Sequence, residues 1–211
     1  MKNFFLYLII SVLSAGSVSA GIMFTKVGFV LSGDTLKINK GNYRQQDSEI
    51  IVYFNESDIA PLNVRIIFNE LFRQYSAVKD ALVYNNSSLA NINALKLLED
   101  MKSMTNGIDV LNKDDRWLMF INNYENIRRK IESATFISDQ RFLFNEISVG
   151  MMKFIKQFGL SDKTVYLMQC ATDTPVGNAL WLTDSRDTKN PYLGLQNDTT
   201  CAKVKEVWKF K

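Results

Sequence analysis

The stretch VRIIFNELFRQYSAVKDAL, Val64–Leu82, sets apolar side chains at Val64, Ile67, Phe68, Leu71, Phe72, Tyr75, Val78 and Leu82. Steps of three and four residues put them on one side of a helix with 3.6 residues per turn, so the segment predicts an amphipathic helix with a buried face. Moving outward, the same period continues through most of the middle of the chain. A second stripe uses Leu89, Ile92, Leu95, Leu98 and Met101. A third uses Trp117, Phe120, Ile121, Tyr124, Ile127 and Ile131, and a fourth uses Phe144, Ile147, Met151, Phe154, Ile155 and Phe158. The breaks NNSS, TNG and SDQ separate them. Asp114 and Asp115 after Asn112 form a helix start, since carboxylates favour the positive end of the helix dipole. Gly159 after Phe158 forms a stop. Between Pro61 and Leu160 the pattern predicts four helices of about five turns each.

On both flanks the period changes to that of strands. MFTKVGFVL and EIIVYF are β-branched and aromatic, with a weaker TLKIN between them, and SGD and NKGN supply turns. Two or three antiparallel strands are expected within Gly21–Asn55. After Leu160, TVYLMQC, NALWLTD and KVKEVWKF read as strands. In the last, Val204, Trp208 and Phe210 oppose Lys203, Lys205 and Lys209, the pattern of a lysine-protected sheet edge. The predicted fold class is α+β, a bundle of about four amphipathic helices between N-terminal and C-terminal antiparallel strands that share one sheet.

The chain opens MKNFFLYLIISVLSAGSVSAG. Lys2, an apolar run of about ten residues and the small residues ending Val18-Ser19-Ala20 make a secretory signal, with cleavage after Ala20. Residues 1–20 are thus expected to be a signal peptide and 21–211 a single mature domain. Retention of the segment as a membrane anchor is the alternative. The low proline and high Asn, Lys and Ile content is that of AT-rich bacterial genes, which points to the periplasm or to secretion.

Histidine is absent and the only cysteines are Cys170 and Cys201. An even pair in an exported domain reads as a disulfide. A redox pair would be spaced C-x-x-C, and zinc needs three or four soft ligands. No metal or cofactor is expected. The bridge closes a loop rich in Thr, Asp, Asn and Gly, which would stabilise the fold by about 3–4 kcal/mol on the loop-entropy model.

Catalytic motifs do not emerge. There is no G-x-S-x-G elbow, phosphate loop, zinc-protease motif or dinucleotide fingerprint. Without histidine the commonest general base is missing. Carboxylate catalysis on glycan or peptidoglycan, using Asp173, Asp184 and Asp187 beside Arg186, is the enzymatic alternative. A formal charge of only +3 argues against a nucleic-acid partner. The leading expectation is a non-enzymatic envelope protein acting by protein–protein binding, as an assembly or secretion accessory or a periplasmic inhibitor. Trp181, Arg186, Tyr192 and Leu193, in or beside the tethered loop, are the candidate partner-binding residues, because Trp, Tyr and Arg are enriched at interface hot spots.

Overall fold

A computed structural model describes residues 44–46, 49–105, 107–170, 176–195 and 201–211. All of them belong to one compact unit, Ile38–Lys211. The signal segment and the strands expected at MFTKVGFVL and TLKIN lie outside the described residues.

The order of elements is β1 (Arg44–Gln46), β2 (Glu49–Phe54), a single 3-10 turn, α1 (Leu62–Val83), α2 (Ser87–Thr105), α3 (Asp109–Asn112), α4 (Asp115–Asn122), α5 (Tyr124–Ser133), α6 (Ile137–Phe158), β3 (Thr164–Cys170), β4 (Ala179–Thr183) and β5 (Lys203–Phe210). The strands form one mixed sheet in the order β1-β2-β5-β3-β4. The two flanks of the chain therefore do share a sheet, and they meet in its middle, where β2 runs parallel to β5 with Val52 opposite Trp208. The fold class is α+β with a helical core.

α1 buries Val64, Phe68, Leu71, Phe72, Tyr75, Val78 and Leu82, the face expected from the pattern, with Ile67 partly covered. It ends where Asn85 turns into the left-handed region at φ 56°. Asn86 N–H then returns to Ala81 O (2.8 Å) and Asn85 N–H to Leu82 O (3.2 Å), which satisfies carbonyls that the helix end would otherwise leave open. Asn86 in turn caps α2, its side-chain oxygen accepting from Leu89 N–H at 3.0 Å. Asp114 caps α4 in the same way through Trp117 N–H. Gly159 closes α6 at φ 78°, and a Cβ there would lie 2.7 Å from Ile59, so glycine is required both by conformation and by space.

Three expectations are corrected. The second stripe is rotated: α2 buries Ala90, Ala94, Leu97, Leu98 and Met101, and leaves Leu89 and Ile92 exposed at 44% and 62%. Small alanines let α2 come close enough to α1 for Asn93 to donate to Ala77 O at 3.1 Å. The third stripe is two short helices, broken at Asn123, where ψ of 4° leaves the helical region between α4 and α5. Among the described residues the region thus holds six helices, including the single turn α3. Finally, β5 is a central strand and not an edge. It is paired on both sides, and Lys209 lies over the Tyr53 ring of β2.

The core is aromatic where the helices meet: Phe68 stacks on Phe158 (5.0 Å between centroids), and Trp117 sets its ring edge-on to Phe154 (4.9 Å). Such pairs add about 0.5–1.5 kcal/mol each beyond burial.

Candidate functional site

Cys170 and Cys201 are bonded, with Cα atoms 5.0 Å apart. Gln169 pairs with Lys203 in the sheet, so the bridge joins neighbouring strands just beyond their last paired residues. A bond between the only two cysteines fits an oxidising compartment. Among the described residues no helix is long and apolar enough to cross a membrane.

The segment between the cysteines does not present its aromatic residues to solvent. Trp181 lies in β4, fully buried, with its ring edge-on to Tyr192 at 6.1 Å. Tyr192 is 3% exposed and Leu193 is half-buried against the core. These side chains close the sheet. β4 is the last strand in the order, so among the described residues no strand meets the backbone groups on its outer side. Tyr75 of α1 accepts from Leu182 N–H at 3.1 Å and lies 2.8 Å from Ser148 Oγ of α6. The Tyr192 hydroxyl donates to Leu180 O at 2.8 Å. Burial pushes both phenols well above their ordinary range, so they stay protonated. Two tyrosines, one of them tied to Ser148, thus meet outward-facing backbone groups of β4 among the described residues, as a neighbouring strand would.

Arg186 is exposed and already engaged. It makes a two-pronged pair with Glu49 of β2 (2.6 and 2.9 Å) and lies over the Tyr166 ring of β3. The guanidinium beside Glu49 holds that carboxyl below its ordinary range. Of the acids proposed for catalysis, Asp173 lies outside the described residues and Asp184 is exposed on the turn after β4. Burial pushes the Asp187 carboxyl up, but Lys189, 2.9 Å away, more than offsets it, and the net shift is down. A general acid would require the opposite. Among the described residues no three His, Cys, Asp or Glu side chains are grouped to hold a metal ion.

A different surface stands out at the end of the helical layer where three turns converge. Leu195 N–H, from the tethered segment, donates to Val83 O at the end of α1 (3.0 Å). Gln140 of α6 donates to Ser87 at the start of α2 (2.8 Å) and to Ala134 O after α5 (2.9 Å). Arg141 ties the group together, donating to Pro191 O (2.9 Å), Leu82 O (3.3 Å) and Asn85 Oδ1 (2.6 Å). Gly194 allows this approach, since a Cβ there would lie 2.7 Å from Asn85. No carboxylate pairs with Arg141 among the described residues, and burial lowers its pKa.

The three segments meeting here are Ala81–Leu95, Ser133–Ser138 and Asn190–Leu195, and none contains a charged residue. The chain's 25 Lys and Arg and 22 Asp and Glu in 211 residues would put about six charges in a stretch of that combined length. Eleven of these residues are exposed, among them Tyr84 (58%), Leu89 (44%), Ile92 (62%), Phe136 (71%) and Leu195 (47%). Phe142, one turn further along α6, is 53% exposed. Sequence reasoning looked for motifs and missed this end. Its signal was the run without charge, spread over three segments that only the fold assembles.

Two small cavities lie in the outer seam of the helical layer. One of about 20 Å³ is lined by residues including Leu98, Met101, Ile127, Ile147 and Gly150, and one of about 10 Å³ lies beside it around Ala90, Ile131 and Leu143. Each has room for about one water molecule; the first is walled by apolar groups, while the second also borders Asn91 and Gln140.

A family model described as a protein of unknown function (DUF3347) matches residues 71–163. The similarity covers less than half of the chain. It runs from within α1 to the residue before β3, so it spans the helical layer and stops at the sheet. No curated protein and no solved structure matches the chain.

Proposed function

We propose that this chain is an exported, non-enzymatic protein of the bacterial envelope, periplasmic or secreted, that acts by protein–protein contact through its uncharged end. The observation that carries this reading is the exposure of Tyr84, Leu89, Ile92, Phe136 and Leu195 on a surface with no charged residue in its three segments. Interface cores are depleted in charge and enriched in aromatic side chains, while ordinary protein surface is not. Export is supported by the n-region, apolar run and small-residue site of residues 1–20 and by the disulfide. An assembly or secretion accessory and an inhibitor of an envelope enzyme both work in this way.

The test is affinity purification from the envelope, under gentle low-salt conditions, of a tagged copy expressed beside the untagged chain. A protein retained in stoichiometric amount, foreign or a second copy, and lost on Phe136→Ser, is the expected result. Repeated recovery of bare monomer would overturn the reading.

A further inference from the structure

We infer that the occupant of the uncharged end is a second copy of this chain, packed about a two-fold axis; the inference rests on reading that end as a contact surface. In a two-fold contact each residue near the axis meets its own copy, so any charge there faces a like charge. Such juxtaposition is costly, and a surface built for self-contact must be free of it. A foreign partner's core contact is also poor in charge, but it admits a charge wherever an opposite one meets it across the interface, a condition less strict than self-contact. The eleven exposed residues of the three converging segments meet the stricter condition, since none is charged.

The charges beside this surface are arranged for the same geometry. Asp139 and Arg141 flank it, two residues apart on α6, and neither has an opposite charge as partner among the described residues. At that spacing they lie on different flanks of the helix and cannot reach each other within one chain. Arg141 spends Nε and Nη2 on Pro191, Leu82 and Asn85, with no bond from Nη1 to a described residue. Two copies meeting about an axis near Phe136, within the uncharged segments, leave the charges of α6 toward the rim and bring Asp139 of each toward Arg141 of the other. The apolar side chains Phe136 and Phe142 fill the space between, and Tyr84, Leu89 and Leu195 surround it.

The experiment is sedimentation velocity on the mature full chain over a range of micromolar concentrations, repeated with Phe142→Asp and Phe136→Asp. Both residues are exposed, and unchanged thermal melting would show that the variants fold. The expected result is a concentration-dependent dimer, with each substitution raising the dissociation constant by about tenfold or more, since an acid near the axis meets its own copy. High salt should partly restore association of Phe136→Asp by screening that repulsion. A monomer throughout, or a dimer indifferent to both substitutions, overturns the inference. Two outcomes separate it from the broader reading. A monomer that captures a foreign envelope protein and loses it on Phe136→Asp removes the second copy and keeps protein binding. A monomer that captures no protein but sediments with phosphatidylcholine vesicles removes both.

Discussion

The inner and outer seams of the helical layer are built differently. On the inner side, α1 and α6 meet the sheet through hydroxyls as well as rings: Tyr75, Ser148 and Tyr192 hydrogen-bond among themselves or to the free edge of β4, while Tyr75 stacks on Phe144 at 5.2 Å. On the outer side, α2, α5 and α6 meet mainly through apolar side chains, with polar contacts at the margins, such as the Tyr124 hydroxyl donating to exposed Glu99 (2.5 Å), and leave cavities of about 20 and 10 Å³. Apolar contact is tolerant of small gaps, whereas a buried hydrogen-bond network admits few arrangements. The inner seam therefore fixes where the helices sit on the sheet, and the outer seam supplies burial with slack to spare.

The largest expected effect tests how the inner seam is held. The tethered segment delivers Tyr192 to the β4 edge, so replacing Cys170 and Cys201 together by Ala should lower stability by about 2–4 kcal/mol. Denaturant melting would measure it, and limited proteolysis should cut first between residues 172 and 200. A reductant with access to the bridge should reproduce the effect in the unmodified chain. Both thiols free by mass-tagging, in protein taken from an oxidising compartment, would remove the premise.

Next comes Tyr75→Phe. It keeps the ring but leaves Leu182 N–H and Ser148 without their partner, and orphaning buried polar groups costs about 1–3 kcal/mol. If the seams were equivalent, this loss of one oxygen would be nearly silent. A change below about 0.5 kcal/mol, within the range of ordinary surface substitutions, would break the comparison.

The outer seam should respond with the opposite sign. Gly150 lies within α6 beside the larger cavity, and a Cβ there meets only Phe154, at 4.0 Å. Gly150→Ala should stabilise the fold by about 1 kcal/mol, from helix propensity and from filling space. Destabilisation would mean that the seam has no slack.

The smallest effect is pH-dependent. Burial pushes the Glu206 carboxyl up, but the Trp208 indole (2.7 Å) and Lys156 (2.9 Å) outweigh it and the net shift is down. A lowered folded-state pKa means that the contribution is complete above the ordinary carboxylate value of about 4.3 and lost as pH falls through the folded value. Glu206→Gln should cost at most about 1 kcal/mol at neutral pH. The gap between the two proteins should close in acid, and a gap that persists there would assign the effect to packing.

Much of this architecture was legible in the chain. α1, the stripe of α6 and the strands of the C-terminal flank lie where periodicity put them, because each buries one face of its own pattern, but α6 begins at Ile137 and runs through the SDQ expected as a break. Asp114 and Gly159 were legible as helix ends because capping is local chemistry. α2 was misplaced by one position along its turn, since Leu89 and Ile92 look like core until Ala90 and Ala94 are seen to allow a closer approach. The candidate binding residues show the same limit. Trp181 and Tyr192 are bulky side chains in or beside a polar loop, a description that fits a hot spot and a sheet seal equally well.

By itself the sequence determined the helical middle, the strand flanks, the pairing of the only two cysteines and the absence of any histidine-based site. Those properties are set by residue type and by spacing along one chain. Tertiary structure alone decided that β5 lies inside the sheet, that Tyr75 and Tyr192 close the β4 edge, and that three uncharged turns form one surface. The reason is separation. Tyr75 and Leu182 are 107 residues apart, and no local period records which distant groups a fold brings within hydrogen-bonding distance.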